Sequence, residues 1–251
     1  MARSCDSSID NRPRLSYDSA PLKTEVDQAG PATALVFNLK RDSPFSFKCQ
    51  VCSVCCSNKA IRLGPYEALR LARSLKISTT ELYRTYAEEG ATVLRNKPDG
   101  SCIFLNSRGC GVHPDRPLVC RLFPLGQLGH GQDSDKLGIM PLHPDCLGLV
   151  DTDGTVGSYL ESQGAGAYFQ YDQVYSAIYK RIRERLPCLQ AADPEENRRG
   201  AFAPGGLLSP WLDIDAGVAA YGRRQKSEKP ENPDELIRLH IQAMEDWIAG
   251  L

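Results

Sequence analysis

Cys49-Gln-Val-Cys52-Ser-Val-Cys55-Cys56 is the stretch on which the interpretation of this fold depends, because it places four thiols within eight residues. A Cys-x2-Cys segment turns back on itself, so that two sulfurs converge on one ion while backbone amides point towards them. This spacing suits zinc knuckles and iron–sulfur sites alike. Three cysteines at this spacing resemble the start of a bacterial ferredoxin motif, but the fourth cysteine of that motif is absent locally. Neighbouring residues usually direct their side chains apart, so Cys55 and Cys56 are expected to serve two centres, or one is expected to bind and the other to pack.

A second group of cysteines follows, with a spacing too wide for one knuckle: Cys102, Cys110, Cys120 and Cys146. These residues can complete sites that the first group begins. Eight thiols allow two four-sulfur sites, or one cubane cluster with spare cysteines, and the spacing leaves both arrangements open. The remaining two cysteines, Cys5 and Cys188, are interpreted as incidental thiols.

Composition narrows the class of protein. The chain has 251 residues and a formal charge of −1 from 30 basic and 31 acidic residues, which excludes a broadly basic nucleic-acid-binding protein. Residues 1–10 lack the apolar segment of a signal peptide, and no stretch has the roughly eighteen apolar residues of a membrane helix. We therefore predict a cytoplasmic protein with no membrane or nucleic-acid partner. Cytosolic thiols are kept reduced, so the ten cysteines indicate metal binding in preference to disulfides.

Four helices are predicted from apolar spacing and capping residues. They begin at Pro65, after Ser78, near Tyr168 and after Asn232. The third carries an aromatic stripe that indicates helix packing, and Pro187 is expected to end it.

The rest of the chain is predicted to be largely irregular. Residues 34–39 are a short apolar stretch typical of a strand, whereas 96–144 and 187–206 are expected to be loops. Because 96–144 has little regular structure, metal bonds are expected to hold it in place. We predict a mainly α protein with irregular loops and little or no β-sheet, organised around a cysteine metal centre. The predicted parts are a mobile lead-in over 1–32, a cysteine-cluster domain over 33–150, and a helical extension over 151–251 that packs on it.

These motifs together resemble the YkgJ-type cysteine-cluster family, which is described as chelating zinc or iron. The resemblance covers roughly residues 45–125 and rests on the first cysteine group, on Cys102-Ile-Phe-Leu105, on Cys110-Gly-Val-His113 and on Arg116-Pro-Leu-Val-Cys120-Arg-Leu-Phe-Pro124. It implies metal-ligand roles for Cys49, Cys52, Cys55, Cys56, Cys102, Cys110 and Cys120. Cys146 lies outside its clearest part and is added from the count of thiols. A similar cysteine pattern in the flagellin lysine methylases implies an iron–sulfur cluster.

The spacing and number of thiols favour an iron–sulfur cluster, preferably 4Fe–4S, with a structural or electron-transfer role and a protein or redox partner. Zinc suits the same all-sulfur ligands, so a zinc-binding interaction module is an alternative. A further alternative is a methyl-transfer enzyme in which the cluster organises a separate active site. It is motivated by the methylase resemblance, although no S-adenosylmethionine loop is recognisable. The sequence does not decide whether the protein is an enzyme.

Charged residues and histidines near the cysteines are weaker candidates. His113 and His143 can in principle bind metal, although packing or a hydrogen bond is favoured for His113. Asp213 and Asp215 can form a carboxylate pair, although a loop before a helix is favoured. Five cations can either balance thiolate charge or be ordinary surface charges: Lys48, Lys59, Arg108, Arg116 and Arg121.

Overall fold

The computed structural model describes residues 35–88, 92–128, 136–192 and 211–250. The predicted lead-in over 1–32, with Cys5, lies outside these residues. The structure is mostly helical, with 48% helix and small two-stranded sheets, which confirms the predicted mainly α class. Val36–Leu251 form one compact unit, and the division near residue 150 stays a prediction. Within the described residues, no helix has the length and apolar character needed to cross a bilayer.

The described residues form seven helices: α1 (Pro65–Leu75), α2 (Thr79–Tyr86), α3 (Leu118–Leu122), α4 (Val156–Ser162), α5 (Gly166–Ala192), α6 (Ile214–Gln225) and α7 (Pro233–Ala249). The predicted caps are confirmed at two helices, since the Ser78 hydroxyl accepts the N–H of Glu81 and the Asn232 side chain caps α7. The prediction that Pro187 ends α5 is wrong, because the helix continues to Ala192. Proline removes one backbone hydrogen bond and bends a helix without always ending it.

Three antiparallel pairs of strands are present in the described residues: β1 (Pro44–Lys48) with β6 (Leu149–Thr155), β2 (Leu105–Asn106) with β3 (Gly109–Cys110), and β4 (Leu125–Gln127) with β5 (Leu137–Ile139). Of the strand predicted over 34–39, the structure describes residues 35–39, and among these only Leu39 pairs, through an isolated bridge to Leu137, so the predicted extent is wrong. The stretch 96–144, predicted as loops, contains α3 and two of the short ladders.

Helix α1 lies between two apolar cores. Tyr66 and Leu69 face the larger core, which is built from β1 and helices α4–α7. Ala68, Leu71 and Ala72 face a smaller core, against which Cys102 and Cys110 pack. The predicted apolar face of α1, which contains Ala68, Leu71 and Ala72, is therefore confirmed. The helix has a second buried face, which contains Tyr66 and Leu69. The cysteine segments are held beside this smaller core.

A buried carboxylate joins α1 and α2 to α6. The Asp215 side chain is 4% exposed and lies 3.2 Å from Arg73 and 2.5 Å from Lys229, measured between nitrogen and oxygen atoms. It also accepts the backbone N–H of Thr79 at 2.6 Å. Burial raises the pKa of Asp215, but the hydrogen bonds from Lys229 and Thr79 and the charge of Arg73 outweigh it, so the pKa is lowered. Asp213 caps α6, so both aspartates have structural contacts at the start of this helix.

We expect Asp215→Asn to destabilise the protein by about 3 kcal/mol. The amide leaves two cations without a charge partner, and the value is at the low end for a broken buried pair because Arg73 and Lys229 are partly exposed. Urea denaturation measures the loss of unfolding free energy. Asp42→Asn, at an exposed position, is the matched control and should change it by less than about 0.5 kcal/mol. Equal stabilities of the two variants would contradict the assignment.

His240 is fully buried between α5 and the start of α6. Its Nδ1 atom lies 2.9 Å from the Tyr175 hydroxyl, and among the described residues its Nε2 atom has no hydrogen-bond partner. Burial lowers the pKa of His240 to about 3, so the ring is neutral in the folded protein. In the unfolded chain the same ring has a pKa of about 6.5.

Acid is therefore expected to destabilise the protein through His240. The contribution of His240 to the free energy of unfolding is constant above about pH 6.5. It falls below that pH, because the unfolded chain binds a proton that the folded chain excludes. The loss is about 2 kcal/mol between pH 7 and pH 5. His240→Gln should remove this part of the pH dependence, whereas His143→Gln, at an exposed ring, should retain it. Urea denaturation across this pH range gives the comparison, and equal slopes for the His240 variant and the wild type would contradict the assignment.

Candidate metal centre

The first cysteine group forms a strained turn that directs backbone amides at sulfur atoms. Val51 and Ser53 have φ angles of 53° and 62°, in the left-handed region. A β-branched residue such as Val51 rarely adopts this conformation. This backbone conformation costs on the order of 1–3 kcal/mol of folding free energy, so the surrounding structure must hold the residue in place. In this conformation the N–H of Val51 donates to Cys49 Sγ at 3.4 Å, and the N–H of Val54 donates to Cys52 Sγ. Amide donors of this kind favour the thiolate form that metals bind.

Backbone contacts tie the second cysteine group to the first. The N–H of Cys102 donates to the carbonyl of Cys56 at 2.7 Å, and Ser57 and Ser101 form an isolated antiparallel bridge. The β2–β3 hairpin then returns the chain, so that Cys110 pairs with Leu105. The two groups, separated by α1 and α2 in sequence, are therefore adjacent in the fold.

A carboxylate on α1 fixes the helix that carries Cys120. Glu67 accepts the N–H of Gly64 at 2.6 Å and the N–H of Leu118, the first residue of α3, at 2.7 Å. One side chain thus supplies an acceptor to the N-termini of both helices, where backbone donors lack partners within their own helix. The two hydrogen bonds of Glu67 therefore fix the position of α3, and with it Cys120, relative to α1.

Cys55 and Cys56 lie close together, which contradicts the expectation that their side chains point apart. Their sulfur atoms are 3.9 Å apart, and both residues belong to a 3-10 turn, Val54–Cys56. The hydrogen bond between the two thiols lowers the pKa of Cys55 to about 7 and raises the pKa of Cys56. The charges of Lys59 and Arg116 lower the pKa of Cys55 further.

Several sulfurs interact around Cys55, and five of them, which we call the deep thiols, form one connected group: Cys55, Cys56, Cys102, Cys110 and Cys120. Cys52 and Cys146 also interact with Cys55. Burial raises the pKa of Cys120 to about 12, and the nearby sulfurs of Cys102, Cys110 and Cys55 contribute to the increase. Burial and the same neighbours raise the pKa of Cys110, although the N–H of Val112 acts in the opposite direction. Several thiols that would each be charged as metal ligands are thus gathered in one place.

The other three predicted ligands have fewer protein atoms around their sulfurs, and we call them the surface thiols: Cys49, Cys52 and Cys146. Cys49 is exposed, whereas Cys52 and Cys146 are partly exposed and hydrogen-bond to each other. Each is close to the ends of β1 and β6. Cys188, interpreted as incidental, lies in α5.

Arg121 is a buried cation next to Cys120, with 6% of the residue exposed. Its guanidinium donates to the carbonyls of Pro114, Arg116 and Gln163 and to the Tyr168 hydroxyl, and its carbon lies 4.2 Å from the centre of the Tyr168 ring. All of these partners are uncharged. The positive charge is therefore held inside the protein without being neutralised by a contacting carboxylate in the described structure.

Arg116 is a second such cation, close to the deep thiols. It donates to the His113 carbonyl at 2.7 Å and to the Gln163 side chain at 2.5 Å, and burial lowers its pKa. Among the ion pairs of the described residues, neither Arg116 nor Arg121 has a carboxylate partner. Arg116, which interacts with Cys110, Cys120 and Cys55, is therefore positioned to balance the negative charge of thiolates. Lys48, in contrast, pairs with Asp153 at 3.5 Å and is largely exposed.

The two candidate histidines have other partners. The Nδ1 atom of His113 lies 3.1 Å from Arg116, and burial followed by the charges of Arg116 and Arg121 lowers the pKa of His113. The Nδ1 atom of His143 accepts the N–H of Asp145 at 3.2 Å. In the described structure, neither ring has a hydrogen bond to a thiol. The donor set around the deep thiols thus consists of sulfur.

The cysteines converge without yet enclosing an ion position. In the part of the chain that the structure describes, no three His, Cys, Asp or Glu side chains are already arranged to hold a metal ion. Deprotonation and rotation of thiols must therefore accompany binding. The residues otherwise fit a thiolate-bound metal, because amide donors face the sulfurs and two cations lie beside them.

Sequence reasoning missed three side chains of this site: Glu67, Gln163 and Tyr168. Glu67 was visible only as an acidic residue in the first turn of a helix. Tyr168 belonged to an aromatic stripe interpreted as helix packing, and its hydroxyl and ring faces both contact Arg121. No local sequence signal marks Gln163, whose role depends on its distance from Arg116 in the fold.

Residues 48–142 match the family model CxxCxxCC, described as "Putative zinc- or iron-chelating domain". The resemblance noted from the cysteine motifs is thereby confirmed over this range, which includes seven of the eight predicted ligands and leaves out Cys146. Over 149 residues the chain is 28% identical to "Uncharacterized protein MJ0661" of Methanocaldococcus jannaschii, covering 56% of this chain and 80% of the relative. No solved structure matches the chain.

Arg121→Met is expected to destabilise the metal-free protein by about 3 kcal/mol, because buried carbonyls and a tyrosine hydroxyl lose their donor. Arg121→Lys should recover only a small part of this, since an ammonium cannot reach the acceptors that the planar guanidinium contacts. Arg108→Met, at an exposed position near Cys110, is the matched control and should be nearly neutral. Urea denaturation in the presence of a chelator makes the measurement. If Arg121→Met unfolded at the wild-type urea concentration, Arg121 would have no structural role beyond balancing charge.

Proposed function

We propose that the CxxCxxCC domain holds an iron–sulfur cluster of the 4Fe–4S type, with a structural or electron-transfer role. The observation that supports this most is the set of five deep thiols that interact around Cys55. A 4Fe–4S cluster takes four cysteine thiolates, and the deep thiols contain enough sulfur without drawing on another residue type. The cluster would supply one-electron redox chemistry or fix the loops that carry its ligands.

The charges around the deep thiols support an anionic centre. An oxidised 4Fe–4S cluster with four thiolates carries a net charge of about −2. Arg116 interacts with Cys120 and Cys110, and Arg121 follows Cys120 in the chain. Among the ion pairs of the described residues, neither arginine has a carboxylate partner. Positive charge held in a low-dielectric interior is costly unless negative charge compensates for it. The two cations are therefore explained by a centre of opposite charge that forms when the thiols bind metal.

Short adjacent segments are a second support. The deep thiols come from short segments, none of which has a large core of its own. Cys55 and Cys56 lie in a 3-10 turn, Cys102 in an isolated bridge, Cys110 in a hairpin whose strands have two residues each, and Cys120 in the five-residue helix α3. Metal binding contributes directly to the folding free energy of such loop-rich segments. A structural contribution of the cluster is thus compatible with an electron-transfer role.

Zinc is the competing occupant, since four thiolates suit it equally and yield the same charge of about −2. The described structure favours no histidine-containing zinc site, because His113 and His143 contact other partners. The preference for iron–sulfur rests on the number of thiols that are gathered around Cys55. Metal identity therefore decides between the two.

The test is anaerobic purification of the full chain, followed by metal analysis, acid-labile sulfide analysis and visible absorption. We expect a coloured protein with about four iron and four sulfide per chain. Cys55→Ser and Cys120→Ser should each lose most of the iron, because each removes a sulfur from the deep set. Cys188→Ser is the matched control and should retain the wild-type content. A colourless protein with stoichiometric zinc and no labile sulfide would overturn the proposal.

A further inference from the structure

The β1–β6 ladder packs on the core with one face and is open to solvent on the other in the described structure. Phe45 and Phe47 lie on the core side, where Phe45 is buried and Phe47 packs edge to face on Phe123. Cross-strand partners share a face, and the face alternates along a strand. The opposite side, which we call the outer face, is therefore formed by two cross-strand pairs: Ser46 with Asp151 and Lys48 with Leu149.

Apolar side chains collect at one end of the outer face. Leu149, in the last pair of the ladder, is exposed at 59%, Leu147 at 64% and Val51 at 65%. Leu147 precedes this pair by two residues and Val51 follows it by three, so both lie within about 11 Å of it. The three residues, which we call the apolar patch, expose roughly 300 Å² of apolar surface, an extent that is often functional in monomeric proteins.

Charges of opposite sign lie at the two ends of the apolar patch. At one end, Val51 lies against the β2–β3 hairpin, since a Cβ atom on Gly109 would be 3.1 Å from Val51 Cγ1, and Arg108 is the exposed residue next to Gly109. At the other end, Asp151 follows Leu149 by two residues on the outer face and is also exposed. Among the ion pairs between described residues, neither Arg108 nor Asp151 has a partner of opposite charge.

This order of cation, apolar surface and anion is complementary to itself. In a dimer with two-fold symmetry, both copies use the same surface, so each end of one patch can face the other end of the partner's patch. Arg108 of one copy then faces the partner's Asp151, and the apolar residues cover each other. Addition of strands edge to edge is less favourable, because the β1–β6 register is irregular between Pro44 and Ser46, and a bulge disrupts pairing at a sheet edge.

We propose that the chain forms a symmetric homodimer through the apolar patch, with Arg108 and the partner's Asp151 in contact at both ends. Stable dimers bury about 800 Å² per copy, so a patch of this size gives a weak and reversible dimer. Cys49, the exposed cysteine, lies between Lys48 and Val51 in the chain, so the second copy covers this side of the cysteine segments. Dimerisation requires no particular metal and is therefore independent of the proposed iron–sulfur cluster.

Sedimentation equilibrium of the full chain in reducing buffer measures the dimer. We expect a monomer–dimer equilibrium with a Kd of roughly 10–100 µM. Leu149→Gln should raise the Kd more than about tenfold, because it places an amide in the centre of the apolar contact. Leu128→Gln, at an exposed leucine beside β4, is the matched control and should leave the Kd within about twofold of the wild type. Circular dichroism checks that the variants fold.

Charge reversal tests how the two copies are oriented. Arg108→Asp and Asp151→Arg should each raise the Kd more than about tenfold, because two contacts between like charges replace two contacts between opposite charges. An equimolar mixture of these two variants should dimerise with a Kd close to that of the wild type. In the mixed dimer, both contacts again join opposite charges. The double variant should dimerise for the same reason.

Three results would overturn the proposed dimer. The first is a wild type that remains monomeric up to about 1 mM. The second is a dimer whose Kd is unchanged by Leu149→Gln, since the contact would then use another surface. The third is a mixture of the folded charge variants that remains monomeric, since Arg108 would then not face the partner's Asp151. Iron and sulfide contents report the proposed cluster separately from all three.

Discussion

Repulsion between negative sulfur atoms is the constraint on which this structure depends. A thiolate beside another thiolate is destabilised, and burial increases the effect because the interior screens charge poorly. The deep thiols experience both, as the raised pKa of Cys120 shows. This repulsion is reduced by positive partial charges on backbone amides and by the full charges of Lys59 and Arg116. Arg116 is held by uncharged acceptors, so its charge remains available to the sulfurs. A metal supplies the remaining positive charge.

The helices give these weakly structured segments their positions. Helix α1 is buried on two faces, and its Glu67 carboxylate fixes the start of α3 beside the cysteines. Asp215 anchors α1 and α2 to α6 from the opposite side. Helices α4 and α5 therefore contribute more than apolar surface, because Gln163, which follows α4, holds Arg116, and Tyr168 holds Arg121. The metal centre and the helical region are linked through polar contacts.

Local features of the fold could be predicted because their causes are local. Capping residues such as Ser78 and Asn232 satisfy amides within three residues, so they mark helix starts directly. Long-range features could not be predicted. The β1–β6 ladder joins residues more than 100 positions apart, as in the contact between Ser46 and Asp153, and neither strand has an alternating pattern strong enough to identify its partner. The continuation of α5 past Pro187 shows the reverse case, in which a strong local signal did not end the helix.

The sequence by itself determined the chemistry: ten cysteines, the Cys-x2-Cys-x2-Cys-Cys spacing, the family resemblance and the mainly helical class. The cysteine spacing indicates which sulfurs of one segment can converge, because a short turn has few conformations. Only the tertiary structure decided which thiols are neighbours, since that depends on contacts between segments. It placed Cys55 against Cys56, gathered the deep thiols around this pair, and brought Lys59 and Arg116, two of the five candidate cations, close to Cys55. Electrostatic interactions depend on distance and burial, and both quantities exist only in the folded chain.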